Sequence, residues 1–201
     1  MYDNLFHIAT RIDPYPDFFR FYQSSGVTTT SVTNFKLWNN LFADDTNGGG
    51  IPPLNICYYS CSSPTGSGNE IKNNLFVNTG TGEASQYGAG LYIGAAGFTR
   101  SSFAVANNVF ARTSGTNVVC LVGSCSVGNS AIAAGVDANA AFGMPAFVRY
   151  AQESAANDFH LLPGDTVARD TGVALTSFFA TDKDGVARPQ GGGWDRGPYE
   201  R

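Results

Sequence analysis

Charge is scarce in this chain: Asp, Glu, Lys and Arg make up 14% of its 201 residues, with a net charge of −4. A surface for nucleic acid or an anionic membrane needs clustered Lys and Arg, and no basic cluster occurs. Histidine and cysteine are also sparse, with 2 and 4 copies. His7 and His160 lie far apart with no partner that would make a triad, and no phosphate-cradling Gly loop is present. No apolar run is long enough to span a membrane, and residues 1–20 lack the charged start and apolar stretch of a signal peptide. Helix-length windows are missing too, because Gly, Asn, Thr and Ser interrupt every candidate stretch. Yet 43% of residues are hydrophobic and 13% aromatic, enough to bury the core of a single domain.

What the chain has in abundance is one phrase. NNLF stands at 39–42 and 73–76 and NNVF at 107–110, each copy 34 residues after the last. A degenerate copy, YDNLF, opens the chain, with Asp3 and Asn4 in the places of the Asn pair. The aligned stretches FKLWNNLF, NEIKNNLF and FAVANNVF alternate with the period of two that marks a strand. Leu37, Ile71 and Val105 are therefore expected to point inward, and Lys36, Trp38, Glu70, Lys72, Ala104 and Ala106 outward. Asn40, Asn74 and Asn108 are placed at a bend in the left-handed conformation, which Asn tolerates well. Stacked about 4.8 Å apart, their amides would form a structural ladder, each donating to the next. Phe42, Phe76 and Phe110 would follow as an apolar column.

A second apolar burst completes each repeat, at LNICYY (54–59), GLYIGAA (90–96) and NVVCLV (117–122), with FFRFY (18–22) serving the first copy. Turn-rich loops lie between. One repeat thus reads as one coil of a parallel β-solenoid. Helical tetratricopeptide arrays share a period near 34, but their motif is absent. A weaker coil at ANAAF (138–142) ends the run.

The cysteines fall as two short-range pairs, Cys57 with Cys61 and Cys120 with Cys125, at matching places in coils separated by one without cysteine. That separation is about 9.6 Å, too far for a bridge between pairs. Local Cys57–Cys61 and Cys120–Cys125 disulfides are expected, with four reduced buried thiols as the alternative. The spacings lack a zinc knuckle. Met1 falls at the register of Leu37, so the chain begins in mid-strand and is expected to be the C-terminal piece of a longer protein. An open first coil would offer a route to homo-association.

The NNLF and NNVF residues resemble the right-handed parallel β-helix, or pectin-lyase-like, superfamily. Residues 143–201 resemble the C-terminal module of many bacterial extracellular β-helix proteins. Pro145, Phe147 and Val148 match its first strand; Asp158, Phe159, Leu161, Pro163 and Gly164 match a D-[FY]-x-L-x-P-G segment. Asp182, Asp184, Gly185, Arg188 and Pro189 match a D-x-D-G-x-x-R-P turn, and Gly192, Asp195, Gly197, Tyr199 and Glu200 match the tail. GDTVARDTG (164–172) departs from the family's Ser-Pro-Ala pattern there. The expected fold is all-β: a right-handed parallel β-helix with an Asn ladder and about four to five coils. Residues 1–142 form coils, and 143–201 form the last coil and capping module of the same structural domain.

The resemblance implies a secreted or cell-surface protein whose partner is polysaccharide, with lyase chemistry favoured over hydrolase chemistry if the chain is enzymatic. A lyase needs a base beside the sugar carboxylate and positive charge, often Ca²⁺, on the resulting anion. Trp38 as a sugar platform, with Lys36, Lys72 and Glu70 around it, is the candidate carbohydrate-binding set, and Arg100 is a further basic residue to test. The same charges also read as cross-strand surface pairs. Asp44 and Asp45 read as turn formers, and the Asp182 to Gly185 turn stops short of a full Ca²⁺ loop. No catalytic residue is assigned. A structural or adhesive solenoid, indifferent to sugars, is the alternative.

Overall fold

The computed structural model describes residues 3–7, 19–21, 31–43, 54–56, 65–78, 89–93, 100–111, 118–121, 124–127, 137, 139–152 and 154–201. The first copy of the repeat supplies strands β1 (Leu5–His7) and β2 (Phe19–Phe21). The second supplies β3 (Ser31–Thr33), β4 (Lys36–Trp38), β5 (Leu41–Ala43) and β6 (Leu54–Ile56). The third supplies β7 (Thr65–Ser67), β8 (Asn69–Lys72), β9 (Leu75–Val77) and β10 (Ala89–Ile93). A 3-10 turn, Arg100–Ser102, leads into β11 (Phe103–Ala106), β12 (Val109–Ala111) and β13 (Val118–Leu121). After β14 (Ser124–Val127) and β15 (Ala141–Phe142) comes a hairpin of β16 (Phe147–Arg149) and β17 (Asp158–Leu161). Among the described residues there is no α-helix, and no helix is long and apolar enough to cross a membrane.

Equivalent strands of successive repeats pair in parallel. One sheet runs β4-β8-β11, a second β1-β5-β9-β12-β15, and a third β2-β6-β10-β13, to which β14 adds antiparallel. Lys36 pairs with Glu70 and Trp38 with Lys72, while Ala104 and Ala106 continue those two rows. The result is an all-β stack of coils, compatible with a β-solenoid. Leu37, Ile71 and Val105 face its interior and are buried with Phe42, Phe76 and Phe110. Those rings stack with centroids 4.9 and 5.1 Å apart, and Phe142 extends the column at 5.4 Å.

The bend is made by the first Asn of each pair rather than the second. Asn39, Asn73 and Asn107 have φ of 53°, 53° and 57°, and Asp3 has 58°, which corrects the assignment of this conformation to Asn40, Asn74 and Asn108. Beyond the bend, the second Asn turns its amide along the stack. Asn40 Nδ2 donates to Asn74 Oδ1 at 3.0 Å, and Asn74 Nδ2 to Asn108 Oδ1 at 3.0 Å. Asn4 joins at one end, and Asp137 closes the other by accepting from Asn108 Nδ2 and the backbone of Asn107 and Asn108. The same amides satisfy main-chain carbonyls that the bend would leave unpaired, including those of Leu37 and Ile71.

Residues 143–201 are not a mere end cap. Leu41, Leu75 and Val109 face away from the coil interior yet are 0%, 2% and 1% exposed, because Phe147, Phe159, Leu161 and Ala168 pack over them. Buried polar side chains hold the turns of this module, Asp165 in the departing stretch and Asp182, Arg188 and Glu200 among the motif residues. Asp165 accepts from the backbone N–H of Ala146, Val167, Ala168 and Arg169. Asp182 Oδ1 accepts from Asp184 and Val186, and its Oδ2 from Glu200. Arg188 and Glu200 form a fully buried ion pair at 2.8 Å, and Arg188 also donates to the carbonyls of Asp195 and Gly197. Gly172 allows a close approach to backbone: a Cβ there would lie 2.9 Å from the carbonyl oxygen of Trp194 and 3.1 Å from Asn107 Nδ2.

Candidate functional site

The outward row of β4 and β8 brings Lys36, Trp38, Glu70 and Lys72 together, but it does not present them all to solvent. Glu70 is 9% exposed and Lys72 only 2%, which corrects the expectation of an outward, solvated set. The cover is the segment from Val173 to Thr181, fastened at both ends by bend residues. Asn107 donates from Nδ2 to the Val173 carbonyl at 2.8 Å and accepts the Val173 N–H at 3.0 Å. Asn39 Nδ2 donates to the Thr181 carbonyl at 3.2 Å. Left-handed residues throw their side chains outward at the coil corner, so a bend residue doubles as an anchor.

Beneath this segment two ammonium groups share one carboxylate. Glu70 accepts from Lys36 through Oε1 and from Lys72 through Oε2, the latter at 3.2 Å. Burial would push the Glu70 carboxyl up, but the two ammonium groups outweigh it and hold it low. Burial depresses the Lys72 ammonium, and the Glu70 carboxylate offsets this only in part. Lys72 Nζ lies 2.8 Å from the centroid of Phe178, a cation–π contact.

Trp38 carries the aromatic part of the site. Its ring meets Phe178 edge-on at 6.4 Å and Phe179 at 5.7 Å, and Phe179 continues to Trp194 at 5.6 Å. Between Asp3, Trp38, Asn39, Phe178, Phe179 and Thr181 lies a cleft of about 320 Å³. Three of its lining residues carry a buried polar atom without a hydrogen-bond partner: Asp3 Oδ1, Trp38 Nε1 and Asn39 Oδ1. Asn73, 0% exposed and one coil further along, leaves both amide atoms unpaired. Burial pushes the Asp3 carboxyl up, opposed by Asn39 and Lys183. Leaving such groups unpaired typically costs about 1 to 3 kcal/mol each, so their concentration here needs a reason.

His160 has two carboxylate partners, which the sequence reading did not foresee. Its Nδ1 lies 2.6 Å from Asp158 and its Nε2 2.8 Å from Asp184, with the Tyr199 ring 4.4 Å away. Among the described residues no Ser, Cys or Thr nucleophile joins these contacts, and Asp184 belongs to the turn held by Asp182. Among the described residues, no three His, Cys, Asp or Glu side chains group as a metal site.

Cys57, Cys61, Asp44 and Asp45 lie outside the described residues. Cys120 and Cys125 stand directly opposite each other in the antiparallel pair β13–β14. Arg100 opens the 3-10 turn before β11. Sequence reasoning missed Asp3, Asn39, Phe178, Phe179 and Thr181 as site residues. The available signals were the adjacent Phe pair in a Gly-rich, weakly patterned tail and the one carboxylate in a column of Asn.

Comparison with known protein families, with curated proteins and with solved structures found no match.

Proposed function

We propose that this chain is a right-handed parallel β-helix of the pectin-lyase-like kind that recognises polysaccharide at the cell exterior, by binding rather than cleavage. The observation that carries the reading is the aromatic-walled cleft of Trp38, Phe178 and Phe179, lined with unpaired polar atoms. Sugar rings present apolar faces that lie against aromatic rings and a hydroxyl edge that needs hydrogen-bond partners. Binding is favoured over lyase chemistry because both lysines beside Trp38 are engaged by Glu70, and Lys72 lies under Phe178. A base must reach the proton that it removes. Right-handedness accords with the general preference of parallel crossovers.

The test is an array of acidic and neutral polysaccharides incubated with the purified chain, with and without Ca²⁺, reading both binding and the absorbance of unsaturated products. Saturable binding without product is the expected result. Product formation would replace recognition by lyase activity and make Lys36, Lys72 and Arg100 the first variants. Silence across the array, with concentration-dependent association of the chain, would favour a structural, self-associating solenoid.

A further inference from the structure

We propose that the cleft between Asp3, Trp38, Asn39 and the segment ending at Thr181 is a subsite for one uncharged, hydroxyl-rich sugar ring. The inference rests on the polysaccharide reading and sharpens it, because the acidic sugars that the family resemblance suggests do not fit this chemistry. The cleft, about 320 Å³, is at the low end of small-molecule sites. Its unmatched atoms are two acceptors, Asp3 Oδ1 and Asn39 Oδ1, and one donor, Trp38 Nε1. Two neighbouring ring hydroxyls supply the complement, donating to both acceptors and accepting from the indole N–H. All three atoms are shut off from water. Phe178 stands on the rim of the cleft, 40% exposed.

Charge excludes the neighbouring ligand classes. Among the described lining residues the one carboxylate is that of Asp3, which would repel a uronate, while Lys36 and Lys72 are both held on Glu70 and neither lines the cleft. An ammonium ligand would find the aromatic faces taken: Lys72 Nζ lies 2.8 Å from the Phe178 centroid and Lys36 Nζ 5.9 Å from that of Trp38. Asp3 is also the departure from the repeat. Its column continues as Asn39, Asn73 and Asn107, all in the same left-handed conformation, and Asn suits that conformation at least as well as Asp. The backbone therefore does not call for a carboxylate at position 3, and Asp3 Oδ1 stands beside Asn39 Oδ1 as an acceptor open to a hydroxyl donor.

The experiment titrates the full chain with neutral gluco-, manno- and galacto-oligosaccharides and with oligogalacturonate, by calorimetry, for the parent and for Asp3→Gly and Trp38→Phe. Asp3→Gly removes the acceptor at a position whose left-handed conformation glycine tolerates, and Trp38→Phe keeps an aromatic wall without the N–H. Saturable binding of a neutral oligosaccharide, weakened about tenfold in each variant by loss of one buried hydrogen bond, is expected. Unaltered melting temperatures would show that the loss is local. Preference for oligogalacturonate, or parental affinity for the neutral ligand in both variants, overturns the subsite while leaving polysaccharide recognition standing. Failure of every saccharide to bind overturns both.

Discussion

His160 bridges two carboxylates on different turns of the C-terminal module, Asp158 and Asp184. Burial alone would lower its pKa, but the hydrogen bonds from both partners outweigh this and raise it above the ordinary value of 6.5. A group raised on folding contributes stability that is fully present below its unfolded pKa and is lost as pH rises through the folded one. The chain is therefore expected to lose a small part of its stability above pH 6.5, and His160→Gln to abolish that part of the dependence. The check is an NMR titration of the imidazole together with melts on either side of that pH; an imidazole pKa at or below 6.5 would contradict it. At this scale the sequence is legible only where residue type fixes the role. Two adjacent Asn residues do not announce which one bends, so the left-handed conformation was placed at Asn40 when Asn39 adopts it. The contact of His160 Nε2 with Asp184 is not legible in the sequence, because Asp184 lies 24 residues away with no periodic relation to it.

The strands were the most legible elements, because a buried face imposes a period of two that survives sequence drift. Leu37, Ile71 and Val105 followed it, and the 34-residue spacing fixed their register. The other face of NNLF was the clue passed over: Leu41, Leu75 and Val109 are apolar on the outside of the coil, and an apolar outside must be covered. The ladder makes a sharp prediction. Asn74 accepts from Asn40 and donates to Leu37 and Asn108, so Asn74→Ala strands several buried groups at once. A loss of about 3 kcal/mol or more is expected in denaturant unfolding. A loss below about 1 kcal/mol, the scale of an exposed substitution, would mean that the ladder is ornamental.

For the whole molecule, the stack and the C-terminal module are expected to unfold as one cooperative unit, since Leu41, Leu75 and Val109 pack in one buried cluster with Phe147, Phe159 and Leu161. Removing residues 143–201 is expected to leave a chain that binds a hydrophobic dye and aggregates; a soluble monomer with a cooperative melt would show that the coils suffice alone. Lys72 was illegible for the same reason. Its burial depends on Phe178, supplied from a module 106 residues further along, and no local pattern carries that information.

The order in which the ribosome delivers these parts sets a timetable. Leu41 leaves the exit tunnel about 100 residues before the ring of Phe147 that will shield it, an interval of roughly 5 to 20 seconds at ordinary elongation rates. For that time the nascent chain carries an uncovered apolar stripe, and each finished coil lengthens it. Slow codons between the coils and the module would extend the exposure. Synthesis speed over that stretch, as much as sequence, would then decide how much of this protein reaches its folded state.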